Sequence, residues 1–290
     1  MVSAEVRSLL AQLKRLAHKT LASPLVGEYE TARRSMGVEF FQLREYQPGD
    51  DIRFIDWKSS LRSPVLMVRE SIELKTQTVV LLLDISGSSW YGSYDQRLDV
   101  LKKLAVMLGY VTARLHNRLG LIIFDDRIVE HIAAQSGERA IDALLERCMN
   151  SCASKGASTD IAGALQYAYS HYGSQASYIV LSDFFVDQDA LLKIHQPRFE
   201  TSFLQVISPV ERQLPYKGEI AMADVETGEI VDFLGAQSTL GQVIDRMVYD
   251  FGRSCQRRGI GHLLLQEDDS DLMLAQALVK FFVFRLSQSL

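Results

Sequence analysis

Five aliphatic residues in a row, Val79-Val80-Leu81-Leu82-Leu83, run straight into Asp84-Ile85-Ser86-Gly87-Ser88-Ser89. A strand with one wet face alternates apolar and polar residues. A run without alternation suits a strand buried on both faces, as in a parallel sheet covered by helices on each side. In open α/β sheets ligands bind just past the carboxyl ends of such strands. Asp84, Ser86 and Ser88 stand at that place, and all three are hard oxygen donors. Hard oxygens suit Mg²⁺ or Mn²⁺ rather than zinc or copper. Taken alone, the segment also reads as a strand entering a Ser/Gly turn that caps the next helix.

Two distant segments bear on that choice. Ser177-Tyr178-Ile179-Val180-Leu181-Ser182-Asp183 is a second apolar strand ending in an acid. Gly156-Ala157-Ser158-Thr159-Asp160-Ile161 reads as a loop entering a helix, with Thr159 at its mouth. If the two strands are parallel neighbours, Asp84 and Asp183 emerge on one edge of the sheet and Thr159 approaches from the intervening loop. Two carboxylates and three hydroxyls around one ion leave an octahedral position for water or an outside ligand.

This arrangement resembles the metal-ion-dependent adhesion site (MIDAS) of von Willebrand factor type A (vWA) domains. In those domains an Asp-x-Ser-x-Ser loop, a Thr from a second loop and an Asp from a third hold a divalent cation. Asp84, Ser86 and Ser88 match the first loop, Thr159 the second and Asp183 the third. The resemblance implies a Rossmann-like α/β domain that binds Mg²⁺ (or Mn²⁺) and a partner's Asp or Glu. Two positions depart from the pattern. Phe184 and Phe185 follow Asp183 where many vWA domains have Asp-Gly, and Ser89 stands where many have Met.

A second cassette lies upstream: Arg44-Glu45-Tyr46-Gln47-Pro48-Gly49-Asp50-Asp51-Ile52-Arg53-Phe54-Ile55-Asp56-Trp57-Lys58. Pro-Gly before two acids reads as a turn and a helix cap, with Asp50 or Asp51 accepting backbone N–H bonds. Asp56 is expected to pair with Arg53 or Arg62, and Trp57 to cover the sheet. The cassette either docks this extension onto the sheet or presents its charges to a partner. With Gly37-Val38-Glu39-Phe40 before it, the Asp-x-Ser-x-Ser strand after it and Glu226-Thr227-Gly228-Glu229 further on, it resembles the domain-of-unknown-function family 58. That resemblance runs from about residue 25 to at least 185. Members commonly accompany MoxR-type AAA+ ATPases, which implies an adaptor or co-chaperone in assembling or remodelling other proteins. Many relatives carry transmembrane helices before the cassette, and none is visible in this sequence.

The periodicities divide the chain into residues 1–75, an N-terminal helix (5–20) followed by the cassette with short strands near 40–46 and 65–70, and residues 76–290, an α/β domain. In the second part helices are expected at 95–115, 137–150, 160–172, 187–195, 239–257 and 272–286. Strands are expected at 119–124, 127–132, 201–207 and 260–265, the 127–132 strand lying on an edge and joined through an Asp125-Asp126 turn. The alternation in 220–233 around Thr227-Gly228 reads as a hairpin insertion.

A formal net charge of −5 argues against general affinity for nucleic acid. The three cysteines are Cys148, Cys152 and Cys255. The first two lie one helical turn apart, yet no nearby His or second Cys pair completes a thiolate site, so buried free thiols and a reducing compartment are expected. No apolar stretch is long enough to span a bilayer, and the expectation is a soluble, cytoplasmic protein. There is no P-loop, dinucleotide fingerprint or nucleophile elbow, and the six histidines are scattered without metal spacing. The function expected is therefore a non-enzymatic, metal-dependent protein-binding adaptor. A metal-dependent phosphoesterase and a structural subunit with an unused site are the alternatives.

Overall fold

The uninterrupted aliphatic runs occupy the middle of a six-stranded sheet. The computed structural model describes residues 36–72, 76–86, 96–152, 158–209, 220–223, 230–233 and 237–288. A small antiparallel pair comes first, β1 (Met36–Glu45) with β2 (Met67–Ile72), bridged by the short helix α1 (Trp57–Ser60). Then follow β3 (Thr78–Asp84), α2 (Gln96–Arg114), β4 (Arg118–Phe124), β5 (Ile128–Gln135), α3 (Glu138–Asn150), α4 (Ile161–Tyr172), β6 (Ala176–Ser182), α5 (Gln188–Ile194) and β7 (Glu200–Ile207). The strands β8 (Ile220–Ala223) and β9 (Ile230–Phe233) pair antiparallel, as expected of a hairpin insertion, although its turn lies outside the described residues. The chain continues through α6 (Gln237–Arg257), β10 (Gly261–Gln266) and α7 (Asp271–Gln288). The expected helix at 5–20 also lies outside the described residues.

The sheet order is β10-β7-β6-β3-β4-β5, parallel throughout except for β5, which returns antiparallel along the edge. The architecture is mixed α/β, a mostly parallel sheet with helices on both faces. Two apolar cores explain the missing alternation. Leu81, Leu83, Leu121, Ile123, Ile179 and Leu181 face the side covered by α2, α3 and α7. Their neighbours Val80, Leu82, Ile122, Phe124, Tyr178 and Val180 face α4, α5 and α6. A period of two with both faces dry turns every position apolar.

Chain direction fixes where the open end lies. From β3 the chain moves to β4 and β5 on one side, and from β6 onward it builds the other side. The reversal falls between β3 and β6, the position at which ligands bind in open α/β sheets in general.

In the cassette, Asp50 and Asp51 both cap the turn: Asp50 Oδ2 accepts from the Gln47 N–H at 2.8 Å and Asp51 Oδ1 from the Arg53 N–H at 3.0 Å. Arg44 grips Asp50 with two bonds of 2.6 and 2.7 Å, and this guanidinium with the Gln47 N–H lowers the Asp50 carboxyl to about 2. Two expectations need correction. Asp56 pairs with Arg69 at 2.7 Å, because β2 runs beside it, while Arg53 turns to Asp51. Trp57 does not cover the sheet; it is 63% exposed, since Asp56 caps the Ser59 N–H and aims the helix outward.

Burial depth makes a stability prediction. Leu82→Ala, at a fully buried position in the middle of β3, is expected to cost about 2–5 kcal/mol. Trp57→Ala is expected to stay within about 0.5 kcal/mol. Urea unfolding of the two variants checks both values.

Candidate functional site

The register of β3 against β6 builds the site. Leu83 pairs with Leu181, so the next residues, Asp84 and Ser182, lie side by side at the ends of their strands. The Ser182 hydroxyl donates to Asp84 Oδ2 at 2.6 Å, and the Ser86 N–H donates to Asp84 Oδ1 at 2.9 Å. Asp84, Ser86, Ser182 and Asp183 are all buried. The alternation that sends Leu181 toward α2 sends Asp183 the same way. There Arg97, in the first turn of α2 and 1% exposed, donates from Nη1 to Asp183 Oδ2 at 2.5 Å.

The loop after Asp183 is held from several directions. Its Oδ1 accepts from the Phe185 N–H at 3.1 Å, and its carbonyl accepts from Gln205 Nε2 at 2.6 Å. Gln205 in turn accepts on Oε1 from His262 Nε2, at 2.9 Å. Burial lowers the His262 imidazole to about 4, so it is neutral at pH 7. Phe184 sits at φ +58°, a left-handed conformation that a bulky residue adopts at a cost of order 1–3 kcal/mol. The compensation is its ring, fully buried 4.9 Å from Phe203 and 5.4 Å from Phe251. Phe184 thus takes a backbone conformation that glycine adopts freely.

Thr159 is half-buried beside the same edge. The next residue anchors it twice: the Asp160 N–H bonds to the Asp125 carbonyl at the end of β4, and Asp160 Oδ1 caps α4 through the Gly163 N–H. A Cβ at Gly163 would collide with the Asp160 carboxylate, so glycine keeps this cap closed. Of the five residues predicted as ligands, Asp84, Ser86, Thr159 and Asp183 lie along the carboxyl edge at β3, β6 and the α4 loop. Ser88 lies outside the described residues.

Charge is unevenly shared. Arg97 goes to Asp183, whereas the donors to Asp84 are hydroxyls and a backbone N–H. Burial first, and repulsion from Asp183 second, push the Asp84 carboxyl up to about 7. Among the described residues no group of three or more His, Cys, Asp or Glu converges as a metal site. Any ion here would rest on two carboxylates supplemented by hydroxyls. That donor chemistry fits Mg²⁺ or Mn²⁺, and Asp84, a buried carboxylate with neutral donors, is where added positive charge would be stabilised most.

Sequence reasoning missed Arg97, Ser182, Asp125 and Gln205. Asp125 stands in the expected turn between β4 and β5, and it is also buried, with Oδ1 accepting from the Arg127 N–H. Its place after an apolar strand, like those of Asp84 and Asp183, was the usable signal. Arg97 is a cation at the start of an otherwise apolar helix face, which is recognisable only once its partner is known.

The cysteines also need correction. Cys148 is buried near the end of α3, while Cys152 lies beyond the helix and is exposed, so the two do not share a face. Burial pushes Cys148 and Cys255 up to about 12, which keeps both as inert thiols. The histidines are less scattered than their spacing suggests. His131 lies between the Tyr167 and Tyr172 hydroxyls at 3.0 and 2.8 Å, with the His171 ring 5.2 Å away.

A mixed α/β protein with acids gathered at the reversal of its sheet is the class that fold and site define. The chain belongs to the family described as Protein of unknown function DUF58, which matches residues 42–249. It is 24% identical to the uncharacterized protein Mb1516 of Mycobacterium bovis over 79% of this chain and 74% of that protein. The same figures hold for the uncharacterized protein Rv1480 of Mycobacterium tuberculosis. Among solved structures it is similar to a conserved hypothetical protein BatB from Bacteroides thetaiotaomicron. That match has 19% identity and a TM-score of 0.44, covering 73% of this chain and 99% of the other. Among the described residues no helix is long and apolar enough to cross a membrane.

Asp84 makes stability depend on pH. Its carboxyl titrates near 7 in the folded chain and near 3.8 in the unfolded one. Between those values the folded state keeps a proton that the unfolded state has released, so stability falls as pH rises from about 4 through 7 and then levels off. Asp84→Asn is expected to flatten that slope. Thermal unfolding across the window, without divalent ions, checks it.

Proposed function

We propose that this chain is a vWA-type binding module, with a Rossmann-like sheet whose carboxyl edge holds a divalent cation and, through it, an acidic side chain of another protein. The observation that carries the reading is the placement of two buried acids, Asp84 and Asp183, on adjacent parallel strands at the reversal of the sheet. Asp84, Ser86, Ser88, Thr159 and Asp183 would hold Mg²⁺ or Mn²⁺. The ion's chemistry here is electrostatic, adding affinity when a carboxylate arrives with the right geometry. The protein is then an adaptor rather than an enzyme. Its partner by resemblance is a MoxR-type AAA+ ATPase, with a client protein whose assembly or remodelling the pair serves.

The cassette is the second contact surface in this reading. Ile52, Trp57 and Leu61 are 66%, 63% and 88% exposed, and Lys58 and Arg62 stand among them. Exposed large apolar groups close together in sequence, with an arginine among them, are more typical of a protein interface than of a solvated face.

One observation favours a second reading, a structural subunit whose site is unused. Arg97 already gives Asp183 a cationic partner without any metal.

Capture from native-host lysate, with Mg²⁺ and with chelator, separates the two readings. The adaptor reading predicts that wild-type protein retains an AAA+ ATPase or client only with Mg²⁺, and that Asp84→Ala loses it while unfolding no more easily than wild type. Capture indifferent to both Mg²⁺ and Asp84 would support the structural subunit and move the interaction to the cassette.

A further inference from the structure

The two edges of the main sheet are built differently. At one edge β5 breaks register twice against β4 and carries Glu130 in an ion pair with Arg147. Bulges and charges of that kind keep an edge from recruiting another strand. At the other edge β10 pairs with β7 in unbroken register, and its sequence Gly-His-Leu-Leu-Leu-Gln has neither a charged residue nor a proline. Residues 261–264 are half-buried, and among the described residues no strand pairs with the outer side of β10. The bonds at the end of β10 show which groups point outward. The Glu267 N–H goes to the Ile207 carbonyl on the β7 side, and the Gln266 N–H to Asp269 Oδ2 at 2.9 Å. Successive N–H groups of a strand alternate sides, so those of His262 and Leu264, with their carbonyls, point away from β7. Two such residues meeting their own copies antiparallel exchange four bonds about a two-fold axis at Leu263, each His262 against the partner's Leu264.

The helix above this edge is self-complementary about the same axis. Asp245, Tyr249, Arg253 and Gln256 form a stripe along α6 and, with His262 and Leu264, line a groove of about 450 Å³. Phe251 meets Phe203 of β7 and His262 of β10, so α6 lies over the gap between those strands. A copy added at the ordinary strand spacing of about 4.8 Å brings the two α6 helices to about 10 Å, the distance of packed helices. Gly252 lies against the His262 ring, where a Cβ would come within 2.9 Å of Nδ1. Three residues back along α6, about 4.5 Å, match little more than one residue forward along β10, about 3.3 Å. The axis at Leu263 therefore passes Tyr249 as well. Asp245 and Arg253 stand four residues to either side of Tyr249, so each Asp245 faces the partner's Arg253. Arg253 forms no ion pair among the described residues; it leans over the Tyr249 ring at 5.8 Å, and Tyr249 is 62% exposed. A carboxylate accepts from several donors, so Asp245 can take the partner's guanidinium and keep its contacts within the chain.

We propose that β10 and α6 form the interface of a two-fold dimer, a second copy of this chain extending the sheet across its bare edge. A foreign strand could use the same backbone groups, but only a copy matches the Asp245, Tyr249 and Arg253 spacing by symmetry. The inference goes beyond the binding-module reading and does not depend on the metal. Its consequence for that reading is bivalency. The two β10 strands run antiparallel, so the carboxyl edges of the two sheets face opposite ways and one dimer holds two partners at once.

Sedimentation equilibrium of the full chain in EDTA tests the dimer separately from the metal site. Wild-type protein is expected at twice the chain mass of 32.7 kDa at micromolar concentration. Arg253→Asp sets like charges against each other across the axis and is expected to raise the dimer dissociation constant about tenfold or more. Adding Asp245→Arg to that variant swaps the two charges and is expected to bring the dimer back. Tyr249→Cys, made with Cys152→Ser to remove the exposed thiol, is expected to give a disulfide-linked dimer on mild oxidation. That cross-link decides the question should Arg253→Asp not fold. Wild-type protein that stays monomeric at about 100 μM overturns the proposal, even if it takes up an added extended peptide along β10. So does a dimer that neither weakens in Arg253→Asp nor cross-links through Tyr249→Cys, because its interface then lies elsewhere.

Discussion

Everything distinctive about this molecule depends on the pairing of β3 with β6. The two strands run parallel, in a register that sets Asp84 beside Ser182 and puts Asp183 one step further along. Because the sheet reverses its winding at that junction, two acids end up buried side by side at the carboxyl ends of the strands. Their mutual repulsion and their burial reinforce each other, and the surrounding structure answers in two ways. A guanidinium is brought in from α2 for one acid, and two hydrogen-bond donors are aimed at the other. A slip of one residue in that register would turn one strand's acid and its aliphatic run to the wrong faces.

The loops around these acids are held to a similar standard. Asp160 caps α4 and ties the Thr159 loop to the end of β4. Gln205 and His262 form a hydrogen-bonded relay from the Asp183 carbonyl to the far strand β10, so the third loop is anchored across three strands. Phe184 holds a strained backbone in place by burying its ring against Phe203 and Phe251. A site held this firmly before any ligand arrives loses little conformational freedom on binding.

Much of this was legible in the sequence because the sheet is buried on both faces. The run Val79–Leu83 announces a central parallel strand without help from any other residue, and the strands ending in Asp84 and Asp183 are alike enough to suggest one shared edge. The helices α2, α4 and α6 followed from their apolar spacing. What the sequence concealed depends on contacts between distant segments. Arg97 meets Asp183 across 86 positions and Ser182 meets Asp84 across 98, and neither pairing has a local pattern. The cassette misled for the same reason. Asp56 had two cations nearby in sequence, but strand pairing brought Arg69, from 13 positions away, closer than either. Trp57 was expected to cover the sheet, whereas the cap at Asp56 turns it toward solvent.

The central claim is that the carboxyl edge at β3 and β6 holds a divalent cation on Asp84, Asp183 and the hydroxyls around them. Crystals of the full chain grown with Mn²⁺ and an acidic peptide, measured near the manganese absorption edge, test it most directly. The account predicts one strong anomalous peak within coordination distance of side-chain oxygens from Asp84, Ser86 and Thr159, with Asp183 bound directly or through water. No peak there, or manganese bound elsewhere while Asp84 and Asp183 keep their metal-free partners, would contradict it.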